Sequence, residues 1–229
     1  MKYDTLIIGG SSGIGLASAY RLKANNLNVL IASKNAKAKT QLSDDGFGLI
    51  NLDLTKSTDI ENALKENQAI KHIIITAIYP LLFDSLDQLE VKDAKAAFNK
   101  FWDYMIVIKY AIRQLKAIES FTLVTGSIAY KNLANILSPK ITNLAINEAV
   151  KTLAIELSPI RINAVSPGPT DTSFYDQISD KESLFDSMKQ SVPLKRIAKS
   201  DEIAQAIVLA TLNSNITGSI INVDGGAYL

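Results

Sequence analysis

Short runs of β-branched residues and leucine recur along this chain, each followed by a longer stretch with helical character. That alternation restricts the fold more than any other feature. The runs are Leu6-Ile7-Ile8, Val29-Leu30-Ile31, Leu49-Ile50, Ile73-Ile74-Ile75, Leu123-Val124, Ile162-Asn163-Ala164-Val165 and Ile220-Ile221-Asn222-Val223. Continuous apolar strands are what a parallel sheet covered on both faces requires, and the stretches between them supply its crossovers. The expected architecture is α/β, a doubly wound parallel sheet with helices on both faces. No internal repeat, low-complexity tract or Pro/Gly/Ser linker divides the chain, so one domain over 1–229 is expected. Residues 87–118 and 141–157 read as long helices; in the second, Ile146, Val150, Leu153 and Leu157 fall at helical spacing. Both are apolar on more than one face, which predicts a homo-oligomer, with ordinary core packing as the alternative.

Composition removes several functions. The 24 basic and 23 acidic side chains give a net charge of +1, no surplus with which to neutralise a run of phosphates, so neither nucleic acid nor a membrane surface is an expected partner. With no cysteine there is no disulfide, thiolate nucleophile or Cys-based zinc site, and one histidine cannot supply paired imidazoles, so metal chemistry would have to be all-oxygen, and no metal site is expected. The N-terminal residues show no charged-then-apolar leader, and the longest apolar stretch, residues 73–83, contains Thr76 and Pro80 and is too short to span a bilayer. A cytoplasmic protein acting on a small molecule is the expectation.

The first strand runs directly into Gly9-Gly10-Ser11-Ser12-Gly13-Ile14-Gly15. Glycine serves where φ must be positive or a phosphate must approach the backbone, and the N–H groups opening the next helix form an anion dock. Gly9, Ser11, Ser12, Gly13, Ile14 and Gly15 are therefore expected to cradle a pyrophosphate; a tight strand-to-helix turn explains the glycines without a ligand, but the βαβ setting favours the dinucleotide. At the end of the second strand stand Ser33-Lys34-Asn35. Lys34 can pair with a ribose 2′-phosphate, Ser33 and Asn35 can donate to it, and no acid stands there to bind a free 2′-hydroxyl, so NADP(H) is favoured over NAD(H). Asp53 and Leu54 follow the third strand, where Asp53 can touch adenine or cap the helix beginning near Ser57.

These residues, together with Asn163-Ala164-Val165-Ser166-Pro167-Gly168-Pro169-Thr170-Asp171-Thr172 and the closing Thr217-Gly218-Ser219-Ile220-Ile221-Asn222-Val223-Asp224-Gly225-Gly226, resemble the short-chain dehydrogenase/reductase family over essentially the whole chain. The resemblance implies a single-domain Rossmann fold with a sheet of about seven strands, a nicotinamide cofactor and a dimer or tetramer built on the two long helices. It places Gly9, Gly13 and Gly15 in the glycine motif, Ala77 beside the cofactor, and Pro167, Gly168 and Thr172 against the nicotinamide carboxamide.

The family's usual chemistry uses a tyrosine and a lysine four residues apart on a helix, the ammonium lowering the phenol's pKa from ~10 toward neutrality. Stepping four residues on from the tyrosines reaches Ile7, Ala24, Phe83, Ile108, Gln114, Ala134 or Ser179, and Tyr228 is too near the end. Counting back from Ala154-Ile155-Glu156-Leu157 puts Pro139 in the tyrosine slot and Asn143 in the lysine slot. Ile75-Thr76-Ala77-Ile78 stands where the family has an Asn-Asn-Ala-Gly turn, and Phe101 where a helix asparagine often relays protons. Ser127, in Thr125-Gly126-Ser127, keeps the family's serine position and is the candidate to hydrogen-bond a substrate carbonyl, unless it is a turn serine. Tyr130, with Lys131 and Lys140 close in sequence, is the candidate for a relocated acid, unless it is an exposed loop residue. His72 reads as a structural or surface histidine and not a base, and Asp84, Asp87 and Glu90 as a helix start. Residues 167–200 follow a strand's carboxyl end and read as a substrate lid or a surface excursion. The expected activity is NADP(H)-dependent oxidation or reduction of a small alcohol or carbonyl with non-standard acid/base residues; the alternative is an inactive NADP(H)-binding regulatory or interaction protein.

Overall fold

The computed structural model describes residues 2–77 and 83–229. In chain order the elements are β1 (Thr5–Ile8), α1 (Gly13–Ala24), β2 (Val29–Ser33), α2 (Thr40–Asp44), β3 (Gly48–Asn51), α3 (Ser57–Glu66), β4 (His72–Ile75), α4 (Val91–Gln114), β5 (Ser120–Val124), α5 (Leu137–Glu156), β6 (Arg161–Pro167), β7 (Thr170–Asp171), α6 (Lys181–Gln190), β8 (Ala198–Lys199), α7 (Ser200–Leu212) and β9 (Ile220–Val223). The main sheet has seven strands in the order β3-β2-β1-β4-β5-β6-β9, every pairing parallel. The expected doubly wound parallel sheet is what the chain forms.

Two core layers follow from the strand period of two. Leu6, Ile8, Leu30, Ile73 and Ile75 point to one face, where Ile60 and Leu64 of α3, Tyr104 and Val107 of α4, and Ile146 and Val150 of α5 cover them. Ile7, Ile31 and Ile74 point to the other, against Ala19 and Leu22 of α1 and Ile203 and Ile207 of α7. Each fully buried aliphatic side chain contributes roughly 1.5–3 kcal/mol, so the inner strands are firmly registered.

The long helices differ from expectation at their ends. The first begins at Val91 after an extended Glu90, so Asp84 and Asp87 precede it; it stops when Leu115 turns extended. The second begins at Leu137, earlier than the apolar period suggested, because Pro139 sits in its first turn, where a missing N–H is tolerated. Residues 167–200 hold the two-residue strands β7 and β8, paired in parallel with each other, a 3-10 turn at Ser173–Gln177, and α6, which buries no side chain.

The strand order places β1 beside β4, with β2 and β3 wound outward on one side and β5, β6 and β9 on the other. The carboxyl ends of β1 and β4 therefore open on a crevice, the position at which such sheets take ligands.

Candidate active site

The glycine loop is pressed against the end of β4. Gly9 has φ +89°, and a Cβ there would lie 2.8 Å from Ala77 N; a Cβ on Gly15 would lie 2.5 Å from Thr76 Oγ1. Both positions exclude a side chain, which brings the backbone of the loop and the first turn of α1 together. Ser12 is the N-cap of α1 in an extended conformation and its side chain makes no cap hydrogen bond. The first-turn N–H groups are thus left to an anion. Ile14 packs into the core beneath and its carbonyl accepts from Ser18 Oγ at 2.8 Å. Over this turn comes the loop after β6: Gly13, at φ +51°, would bring a Cβ within 3.3 Å of Thr172. Pro167 ends β6, and Gly168 passes so close to β9 that a Cβ would meet Asp224 Cα at 2.7 Å. Residues far apart in sequence thus form one cradle whose chemistry suits a diphosphate.

At the other end of the crevice Ser33 closes β2, and Lys34 and Asn35 are exposed beyond it. Lys34 Nζ lies 3.3 Å from Asp53 Oδ2. Burial pushes the Asp53 carboxyl up, but hydrogen bonds from Thr55 and the pairing with Lys34 outweigh it and hold the group below its ordinary value. Asp53 accepts from Thr55 N and Oγ1 and does not cap α3, whose N-cap is Lys56. The Leu54 side chain is buried in the core. A second cation, missed in the sequence, stands here: Lys39 Nζ donates to Ser11 O at 2.6 Å, tying the segment after β2 to the glycine loop. The lysine-rich run after Asn35 was its only sequence signal.

The substrate side lies at the ends of β4 and β5. Ser127 is buried and opens a 3-10 turn, Ser127–Tyr130. Tyr130 is half-buried and its hydroxyl accepts from Asn147 Nδ2 at 3.0 Å; burial pushes its phenol up, away from the value a proton donor needs. Among the described residues no hydrogen bond joins Tyr130 to Lys131 or Lys140, and Lys140 Nζ is held instead by Lys131 O at 2.7 Å and Asn132 Oδ1 at 2.5 Å. Pro139 and Asn143 are both buried on α5, and Asn143 Nδ2 donates to Pro139 O at 2.8 Å. Asn143 Oδ1 accepts from Lys100 Nζ at 3.0 Å, a contact the sequence reading did not contain. Phe101 stacks on Phe98 and meets Trp102 edge-on. Ala77 O accepts from the buried Tyr104 hydroxyl at 3.0 Å; Ile78 lies outside the described residues.

His72 opens β4 at the opposite end of the sheet, buried, with Nδ1 2.9 Å from Ser120 Oγ. It is structural. Among the described residues no cluster of His, Asp and Glu could hold a metal ion, and no helix is long and apolar enough to cross a membrane.

Comparison with known proteins agrees with this geometry. The family model described as enoyl-(acyl carrier protein) reductase matches residues 9–228. The short-chain dehydrogenase/reductase ucsE of Acremonium is 28% identical over 255 residues, covering 100% of this chain and 96% of its own. The NADPH-dependent reductase BacG of Bacillus subtilis is 25% identical, covering 99% of this chain and 98% of its own. Among solved structures, a small-chain dehydrogenase in complex with NADPH superposes with a TM-score of 0.85 at 30% identity, covering 100% of this chain and 99% of that one. Sheet order, glycine cradle and full-length similarity together establish that the chain belongs to the short-chain dehydrogenase/reductase family.

Proposed function

We propose that this protein is an NADP(H)-dependent oxidoreductase acting on a small carbonyl or alcohol, a single-domain cytoplasmic enzyme that works as a homo-oligomer. The observation that carries this reading is the cradle of Gly9, Gly13 and Gly15 at an uncapped helix start, roofed by Thr172. The similarity to an NADPH-bound dehydrogenase and to an NADPH-dependent reductase supports the choice of cofactor. Lys34 and Lys39 flank the end of the crevice where an adenine ribose belongs, and together they suit a 2′-phosphate.

When bound, the nicotinamide supplies or accepts the hydride. The first turn of α1 holds the diphosphate through backbone N–H groups. Pro167, Gly168 and Thr172 close over it and exclude water. The Ser127 hydroxyl donates to the substrate oxygen and fixes the carbonyl's orientation. Tyr130, made a weaker acid by burial, is left to line the same wall.

A second reading is favoured by Pro139 and Asn143 in the slots of the usual acid and its lysine. On that reading the chain binds NADP(H) without turning it over and serves a regulatory or interaction role. Fluorescence titration and enzyme-dependent NADPH oxidation over a carbonyl panel separate the two: turnover above background rejects the inactive reading, and tight binding without turnover rejects the enzyme. Cofactor choice is tested by Lys39→Ala, which should weaken NADPH binding by about tenfold and leave NADH binding little changed. Equal loss for both dinucleotides would reject a role at the 2′-phosphate.

A further inference from the structure

On α4, Asp103, Tyr104, Val107, Ile108 and Ala111 are buried, and the half-buried Lys100 lies one turn before Tyr104, in line with Val107 and Ala111. A lysine heading that line is chemically out of keeping with it. Lys100 Nζ sits 5.6 Å from the Tyr104 ring centroid and donates to Asn143 Oδ1 at 3.0 Å. The Tyr104 hydroxyl reaches Ala77 O at 3.0 Å and Val124 O at 3.3 Å, fixing the group at the carboxyl ends of β4 and β5. Asn143 Nδ2 lies 3.8 Å from the point where a Cβ on Gly126 would stand, beside the buried Ser127. The ammonium is thus held at the ligand end of the sheet. It has three N–H donors; Asn143 takes one, and among the described residues no second acceptor takes the others.

We propose that Lys100 is the proton donor of the reaction, its ammonium aimed by Asn143 at the oxygen of a small ketone or aldehyde bound at Ser127. The proposal rests on the oxidoreductase reading above. In the reducing direction a C–H bond forms at the carbonyl carbon with hydride from the reduced nicotinamide. The C=O π pair moves to oxygen, and an O–H bond forms as the Lys100 N–H bond breaks. The carbonyl is reduced to an alcohol, with oxidation of the dihydronicotinamide, and the neutral amine regains its proton from solvent. Desolvation lowers the Lys100 pKa from 10.5 to about 8, so the group is charged at neutral pH and yields its proton more readily than an exposed lysine. The groups that meet it are uncharged: the Asn143 amide from α5, and the Tyr104 phenol, which burial pushes up and keeps protonated. Asp103, one turn on along α4, is buried and engaged in contacts of its own.

The test begins on the nucleotide-free protein. NMR of isotope-labelled lysine side chains should show one ammonium titrating near pH 8, absent from Lys100→Met; all lysines titrating near 10.5 overturns the proposal. With NADPH and benzil or ethyl acetoacetate, Lys100→Met should lose roughly 100-fold to 10,000-fold in kcat and keep its NADPH affinity. Lys100→Arg keeps the charge without the acidity and should remain equally slow, while wild-type kcat should decline as pH rises past about 8. A wild-type rate in Lys100→Met or a flat wild-type profile through that range overturns the role of Lys100, whereas NADPH binding with no reduction of either carbonyl counts against the oxidoreductase reading on which it rests. Failure of the wild type to bind NADPH overturns the oxidoreductase reading itself. The wild-type titration and pH profile stand even if Lys100→Met does not fold.

Discussion

Lys34 and His72 show how far a residue's identity carries without its neighbours. Lys34 is where the sequence put a phosphate partner, but it leans on Asp53, and the cation bound to the glycine loop is Lys39. Which of several surface lysines meets the loop depends on the path after β2, and no periodicity encodes that path. His72 was readable, because a histidine at the start of a buried strand lies at the wrong end of a parallel sheet for ligand chemistry. Burial lowers its pKa below the ordinary 6.5, with Glu119 and other charges as smaller influences. The folded protein therefore keeps His72 neutral where the unfolded chain takes up a proton. Its contribution to stability is intact above pH 6.5 and is lost as pH falls from 6.5 through the lowered folded value. His72→Asn, which keeps a partner for Ser120, should flatten the fall of melting temperature below pH 6.5. An acid limb identical to that of the wild type would show that other groups govern it.

The two long helices carry the difference between what patterning reveals and what it hides. Their existence and the faces they bury follow from 3.6-residue spacing, and the strands follow from continuous apolar runs, so sheet and layers were legible. The ends were not. Pro139 reads as a helix breaker, yet in the first turn of α5 it is harmless, and the helix extends through it. Lys100 lies at stripe spacing from Tyr104 and Val107 and could have been singled out as a charge on an apolar face. Its partner could not, because Asn143 lies on another helix, brought alongside by the packing of α4 on α5. The pair makes a prediction for the element. Asn143→Leu removes the acceptor from a desolvated ammonium and should cost about 1.5–3 kcal/mol in urea unfolding at neutral pH. Lys100 has a lowered folded pKa, so protonating it disfavours folding as pH falls from 10.5 to about 8. The variant's deficit should accordingly shrink when unfolding is repeated above pH 8, and a deficit independent of pH would assign it to packing alone.

For the whole molecule, the homo-oligomer proposed above would be set by the outward faces of the same two helices. Val91, Trp102 and Ile112 on α4, and Leu137, Ile141 and Ile155 on α5, are exposed, with Trp102 57% and Ile155 82% accessible. Trp102 lies three turns on from Val91, and Leu137, Ile141 and Ile155 fall close to one line of α5; exposed apolar side chains on two neighbouring helices are of the kind that chains cover with a partner. A second copy using the same face would close on itself by twofold symmetry, α4 and α5 against α4 and α5, and would bury the patch in both protomers. The crevice opens at the strand ends and not on this face, so association leaves it open to cofactor and substrate. Its consequence for the site is indirect: Lys100 and Trp102 occupy opposite faces of α4, and an interface that fixes the helix also fixes the Lys100–Asn143 contact. Light scattering should give a dimer or a multiple of it for the wild type. Trp102→Glu should shift that species toward the monomer and lower the melting temperature at low protein concentration, because stability in an associating protein depends on concentration. A wild type that scatters as a monomer at every concentration, or a Trp102→Glu variant that associates as the wild type does, would leave those six side chains simply exposed.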